Sequence, residues 1–322
     1  MIVRQFLQWV QSAAAAERAE ATAALARAYL YSDLSHDDRL AAEGAMVMLL
    51  DDPSPLVRRA LAKELADKKE APPALILSLA GDQQDIAVIV LEHSPLLLDA
   101  DLVDFVGSGD AGLQSAIARR RGLPCAVAAS IAEVGTADAC LILIENDTID
   151  IPAFSLDRIV ARHGRLAAIR EALFMRSDVP PQTRQALVVQ LSETLAGFVA
   201  DRAWLGRQRA EDVAKEACEK ATITLAAASP HSDVRPLVSH LRESGQLTGG
   251  LILRALLCGN VTMFEEALAE LSGMPIARVA GLVHDRCGTG FRALYDRAGL
   301  PASAYQAFRA AREAMVEFGF VA

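Results

Sequence analysis

An Asp set in a turn recurs along the first half of this chain, at Asp52, Asp82, Asp110 and Asp138, with spacings of 30, 28 and 28 residues. A short apolar segment, a turn and a second apolar segment fill each interval. A period just under thirty residues is the mark of stacked helix pairs, in which no unit can bury its apolar face alone. That architecture points to binding rather than to chemistry.

Composition agrees with helices. Hydrophobic residues make up 52% of the 322 positions, yet aromatics only 5%, and Ala and Leu dominate. Small and γ-branched apolar residues suit close helix packing, whereas a sheet draws on Val, Ile, Tyr and Thr. Two runs, IAVIVL (Ile86 to Leu91) and ACLILI (Ala139 to Ile144), have strand-like propensity. Their place in the repeat predicts buried helix instead.

The segments follow in order. Residues 3 to 31 read as one or two helices, and Ser35 is a candidate cap for the next. Helix pairs are expected over 39–50 with the segment after Pro55, then 73–79 with the segment after Asp82. Further pairs fall at 99–106 with 111–121, 124–134 with 137–146, and 153–162 with 165–175. Pro53 and Pro55 force the first turn. Two longer helices are expected, from Pro181 to about Asp201 and from Arg207 to Ala228. A second, weaker repeat occupies the tail: Cys258, Phe264, Leu268, Gly273 and Pro275 correspond to Cys287, Phe291, Leu294, Gly299 and Pro301. Each copy is a helix, a Gly stop and a Pro restart. The expected fold is therefore all-α: a HEAT-like right-handed helical-repeat solenoid over residues 1–200, a connecting helix over 201–230, and a smaller helical C-terminal subdomain over 231–322.

The turn DPSPLVRRALAKEL, Asp52 to Leu65, resembles the second half of a HEAT repeat. Later turns keep the Asp without the Pro and Arg, so the array is HEAT-like. RRALAKELAD (58–67), VLEHSPLL (90–97), IARR (117–120), LIEN (143–146), MRSDVP (175–180) and LILRALLCGNVTMFEEALAELSGMP (251–275) together resemble a bacterial, mostly alphaproteobacterial, family known only as domain of unknown function 2336. The resemblance implies HEAT-like helices and supplies no activity. It departs at Val88 and Ile89, where a Pro would be expected before Val-Leu-Glu.

A polar position recurs near the end of each second helix, at Glu64, His93, Arg120, Asn146 and Arg176. Stacking would set these residues above one another. Two readings follow: a ladder that satisfies the orphan carbonyls of helix C-termini, or a polar seam beside a partner-binding groove. Arg58, Arg59, Arg119, Arg120 and Arg121 are the candidate partner contacts, because they belong to second helices and several fall off the apolar stripe.

No catalytic or metal constellation is expected. The six His form neither HExxH nor a Cys-His spacing, and no cofactor is implied. His284 and Cys287 lie three residues apart, but a helix end explains them: His and Arg suit the C-terminal dipole and Gly288 stops the helix. The Asp37–Asp38 pair and Glu145-Asn146-Asp147 read as helix-end residues rather than calcium ligands.

Formal net charge is −9, from 32 basic and 41 acidic residues. Phosphate-gripping proteins usually carry a basic surplus, so nucleic acid is disfavoured as a partner. Five scattered Cys without CxxC, no secretory leader and no apolar run of membrane length predict a cytoplasmic protein without a membrane partner. The function expected is a non-enzymatic scaffold or adaptor for a protein or peptide. The alternatives are a nucleic-acid-binding HEAT-like protein and a small-ligand sensor with a pocket between the two helical parts.

Overall fold

The computed structural model describes residues 8–10, 12–285 and 289–318. Every regular element among them is helical. The chain divides into two compact units, residues 1–159 and 160–322. This division differs from the boundaries expected at 200 and 230, because the two long helices pack on one another and on the helices that follow them.

In the first unit the helices alternate between two rows. The second row consists of α1 (Ala15–Tyr31), α3 (Pro55–Leu65), α5 (Gln84–His93), α7 (Ala111–Ala118) and α9 (Ala137–Glu145). Each of these packs on the next member of its row. The first row consists of α2 (His36–Leu49), α4 (Pro73–Ala80), α6 (Asp99–Gly107), α8 (Cys125–Val134) and α10 (Ala153–His163), within whose span the division falls. Proline starts several helices at the first turn, where its missing N–H costs nothing: Pro55 begins α3 and Pro73 begins α4. Ser35 caps α2 by accepting from the Asp38 amide at 3.2 Å. Apolar residues at helical spacing fill the space between rows. Val57, Leu61 and Leu65 of α3 are fully buried, as are Ile86, Val90 and Leu91 of α5. Both strand-like runs are buried helix, α5 and α9.

One expected turn residue is misplaced. Asp138 lies in the first turn of α9 and is exposed, and the turn before α9 is capped by Thr136, whose hydroxyl accepts from the Ala139 amide.

The second unit continues with α11 (Ala167–Met175) and two long antiparallel helices, α12 (Pro181–Asp201) and α13 (Arg207–Ala228). Then come α14 (His231–Glu243), α15 (Gly249–Leu257), α16 (Val261–Ser272), α17 (Ile276–His284), α18 (Thr289–Arg297), a short 3₁₀ turn at Ala302–Ala304, and α19 (Tyr305–Phe318). The core of this part is aromatic. Phe264 lies 6.4 Å from Phe291 and 6.3 Å from Phe308 between ring centroids, and Tyr295 packs edge-on against Tyr305 and Phe308. Tyr295 satisfies its hydroxyl by donating to the Pro301 carbonyl at 2.7 Å. The tail repeat is visible in three dimensions. Gly273 and Gly299 both take left-handed backbone, at φ 65° and 70°, which a side chain would oppose. Pro275 and Pro301 each stand just before the next helical turn. No helix among the described residues is long and apolar enough to cross a membrane.

Candidate binding surface

The repeating turns are built by polar bridges that run forward, from one second-row helix to the turn before the next. Arg18 of α1 grips Asp52 with two hydrogen bonds of 2.8 Å. Arg58 of α3 grips Asp82 at 2.6 and 3.0 Å and also donates to the Asp52 carbonyl at 2.7 Å. Gln84 of α5 reaches Asp110 at 3.2 Å, and the carboxylate of Asp110 caps α7. In the fourth turn the polarity changes: buried Gln114 donates to the Val106 carbonyl and accepts from the Thr136 amide. Burial on its own would raise the Asp52 and Asp82 carboxyls. The bonds from Arg18 and Arg58, with the Ser54 and Gln83 amides, outweigh it and hold both below the ordinary carboxylate value. The hydrogen bond to Asp82 raises the Arg58 guanidinium in turn.

The C-terminal ends of the same helices are bridged backward. Arg120, just past the end of α7, donates to the Leu91 carbonyl at 2.5 Å and the Ser94 carbonyl at 2.6 Å, at the end of α5. Burial lowers its pKa from the ordinary value, since two carbonyls replace the water around a full charge. Asn146, just past α9, donates to the carbonyls of Ala118 and Arg120 at 3.0 and 2.8 Å. Its own side-chain oxygen accepts from Thr148. These two residues satisfy helix-end carbonyls that would otherwise be orphaned.

The other three seam positions do different things. Glu64 pairs with Arg27 of α1 at 2.5 Å on the surface. His93 turns back to the Ile89 carbonyl of its own helix at 3.1 Å. Arg176, in the second unit, holds Asp178 with bonds of 2.9 and 2.6 Å.

The five candidate arginines therefore divide. Arg58 and Arg120 do not present their heads to solvent: one is clamped in the Asp82 bridge and the other in the end of α5. Apolar spacing alone placed Arg58 off the stripe, yet the neighbouring turn covers it and leaves its side chain 16% exposed. Arg59, Arg119 and Arg121 are exposed. Arg59 stands 3.7 Å from Asp85 and Arg119 3.9 Å from Glu92, both loose surface pairs.

His284 faces Glu265 at 2.8 Å on the surface and ends α17. Cys287 and Gly288 lie outside the described residues. Asp37 and Asp38 occupy the first turn of α2, where acidic side chains favour the dipole. Among the described residues no group of three or more His, Cys, Asp or Glu side chains is placed to hold a metal ion.

A cavity of about 550 Å³ opens within the second unit, between α12, α13 and the loop before α15. Its floor is small and apolar, with Val189, Ala196 and Ala214. Its rim carries Arg207 and Lys215 against Glu193, Glu211 and Glu219. Its lining draws on all three expected segments, 1–200, 201–230 and 231–322, and a pocket between the helical parts is one of the expected alternatives. None of its residues was named for it, because small residues facing one another on two helices read as ordinary close packing.

The family described as an uncharacterised protein conserved in bacteria (DUF2336) matches residues 86–320, most of the chain, and the chain belongs to it. No curated protein and no solved structure matches.

Proposed function

We propose that this member of the DUF2336 family is a non-enzymatic helical-repeat adaptor that binds an acidic protein or peptide segment along its second-row helices. The observation that carries the reading is the division among the arginines: Arg58 and Arg120 are spent on holding the stack, while Arg59, Arg119 and Arg121 are left exposed on or beside the same row. The second row is continuous and bridged at helix ends, so these guanidiniums stand on a stiff base, which lowers the entropy lost on binding. Stacked repeats use extended surfaces built from one helix per unit to bind partners, and the second row is such a surface in this reading. Arginine suits such a site because its planar fork takes a carboxylate through two bonds. The loose contacts with Asp85 and Glu92 are exchangeable for a partner's carboxylates.

Duplex nucleic acid fits less well. Two of the five arginines face inward, and two of the remaining three stand beside carboxylates, which breaks any basic stripe. The test is affinity capture from the native cell with the wild type and with R59E/R119E/R121E, read by mass spectrometry. The reading expects the variant to melt like wild type and to lose the main captured proteins. Retention of every partner by that variant would refute the surface, and tight duplex binding in a gel shift at physiological salt would refute the partner class.

The cavity of the second unit favours a second reading, a small-ligand sensor. A metabolite screen by thermal shift, with Ala196→Leu to fill the floor, separates the two functions.

A further inference from the structure

The cavity between α12 and α13 is a trough that follows the hairpin. Val189, Ala196 and Ala200 line it from α12, and Ala214, Cys218 and Thr222 from α13, at spacings that keep to one face of each helix. From Val189 to Ala200 it runs about 17 Å at 1.5 Å per residue. A volume of about 550 Å³ then leaves a cross-section of about 30 Å². Gly197 lies on its floor in the body of α12, where glycine weakens a helix relative to alanine. A Cβ there would meet no neighbouring atom within 4 Å. No packing in the fold calls for this glycine, and its bare backbone deepens the trough.

The two ends differ. Gln246 accepts from Gln185, near the start of α12, at 2.6 Å, which sets the loop before α15 at the base of the hairpin. There Thr222 and Leu251 are buried, and the Thr222 hydroxyl is engaged by the Cys218 carbonyl at 2.8 Å. Arg207 and Glu211 stand near the turn at 202–206. Glu193 and Lys215 lie midway, level with one another across the antiparallel pair. All four are exposed and make no ion pair among the described residues. The fifth charge, Glu219, is held by Arg254 at 3.5 Å.

We infer, on the small-ligand reading of this cavity, that the trough holds a single-chain amphiphile of about a dozen carbons with a zwitterionic head. Width decides the tail. A helix about 10 Å across needs about 80 Å². An extended peptide strand needs about 50 Å², from spacings of about 4.8 Å between strands and about 10 Å between sheets. Either would stand above the rim and leave Gly197 uncovered. A methylene chain is about 4 Å across at van der Waals contact and reaches the floor. Charge decides the head. A carboxylate head would meet Glu193 and Glu211, and an ammonium head Arg207 and Lys215. A head of both signs meets each with its opposite. The tail points to Thr222 and Leu251, and the head lies toward the turn.

The experiment is isothermal titration calorimetry of the full chain with dodecylphosphocholine below its micelle-forming concentration. Dodecanoate and dodecyltrimethylammonium keep the tail with a head of one sign, and free phosphocholine keeps the head alone. Gly197→Leu fills the floor. Nothing lies within 4 Å of its Cβ and leucine favours helix, so this variant is expected to melt no lower than wild type. Wild type is expected to bind one dodecylphosphocholine, to bind either single-sign amphiphile about tenfold more weakly, and to give no heat with phosphocholine. The variant is expected to lose about tenfold in affinity. Absence of dodecylphosphocholine binding by wild type overturns the inference. So does equal binding by Gly197→Leu, because the chain then lies elsewhere, and so does equal affinity for a single-sign head or for phosphocholine alone. If dodecylphosphocholine fails while a metabolite of the thermal-shift screen binds wild type and not Gly197→Leu, the ligand class is wrong and the small-ligand reading stands. If nothing binds, both fall.

Discussion

Replacing Arg120 by Ala should cost the first unit much of its stability. The guanidinium makes two short bonds to the carbonyls of Leu91 and Ser94, and both of those residues are buried. A hydrogen bond to a charged group contributes about 1.5–3 kcal/mol net, and a buried acceptor left without a donor costs about 1–3 kcal/mol. Removing a desolvated charge gives some of this back, as the lowered pKa of Arg120 requires. The balance is a loss of about 2–4 kcal/mol. For a unit of this size that corresponds to a fall in melting temperature of roughly 5–15 °C. If the two units melt separately, only the transition of the first should move. Arg120→Lys supplies a point charge that cannot span two carbonyls in a fixed fork, so it should fall between. Arg119→Ala removes only a loose surface pair and should stay within about 0.5 kcal/mol of wild type. Urea unfolding followed by far-ultraviolet circular dichroism reads all four proteins. If Arg120→Ala unfolds at the same midpoint as Arg119→Ala, the bridge carries no load and the assignment of Arg120 to structure is wrong.

Three further outcomes are expected. Asp52 and Asp82 have native pKa values below the ordinary 3.8, so their contribution is fully present above that value and is lost as pH falls through the native ones; urea midpoints should drop between pH 6 and pH 3, and D52N/D82N should be less stable at pH 6 with a smaller acid loss. Exposed Cys125 and Cys258 should alkylate before buried Cys140 and before Cys218, whose thiol is raised by burial, in timed alkylation read by mass spectrometry. Phe264→Ala should destabilise the second unit by about 3–5 kcal/mol, because the ring is fully buried between Phe291 and Phe308, and Tyr295→Phe by about 1 kcal/mol for its bond to Pro301; thermal melts check both.

The helices were legible because local rules and the repeat agree on them. Pro55, Pro73 and Pro181 start helices where backbone N–H groups are unpaired anyway, and Gly273 and Gly299 stop them through left-handed backbone. IAVIVL and ACLILI show the limit of local propensity, since only the repeat identified them as helix. The bridges were harder to read. Arg18 meets Asp52 across 34 residues and Arg58 meets Asp82 across 24, so no fixed spacing announces them. The recurring Asp was the available signal, since an acceptor repeated in every turn calls for a donor from the preceding unit. Asp138 misled because the fourth turn is held by the amide of Gln114, which both donates and accepts, so that Thr136 serves where the earlier turns need a carboxylate. The hairpin cavity left no sequence signal of its own, as Ala196 and Ala214 suit close contact and open space alike.

The two sets of bridges run in opposite directions, and that has a mechanical consequence. Arg58 and Gln84 reach forward from the starts of α3 and α5, while Arg120 and Asn146 reach back to the ends of α5 and α7. The α5–α7 junction is thus clamped at both ends, and α5 and α7 have C-terminal carbonyls that are satisfied against fraying. In the first row α8 and α10 meet through Arg158 and Glu133, a bidentate pair that lies on the surface and is screened by water. Local opening should therefore begin in the first row and leave the second row intact. Hydrogen exchange should show the last turns of α5 and α7 exchanging more slowly than those of α4 and α8, and Arg120→Ala should abolish the difference at α5 while leaving α7, held by Asn146, protected. If α5 and α7 lose protection together, the row behaves as one cooperative block and the bridges are not its independent clamps.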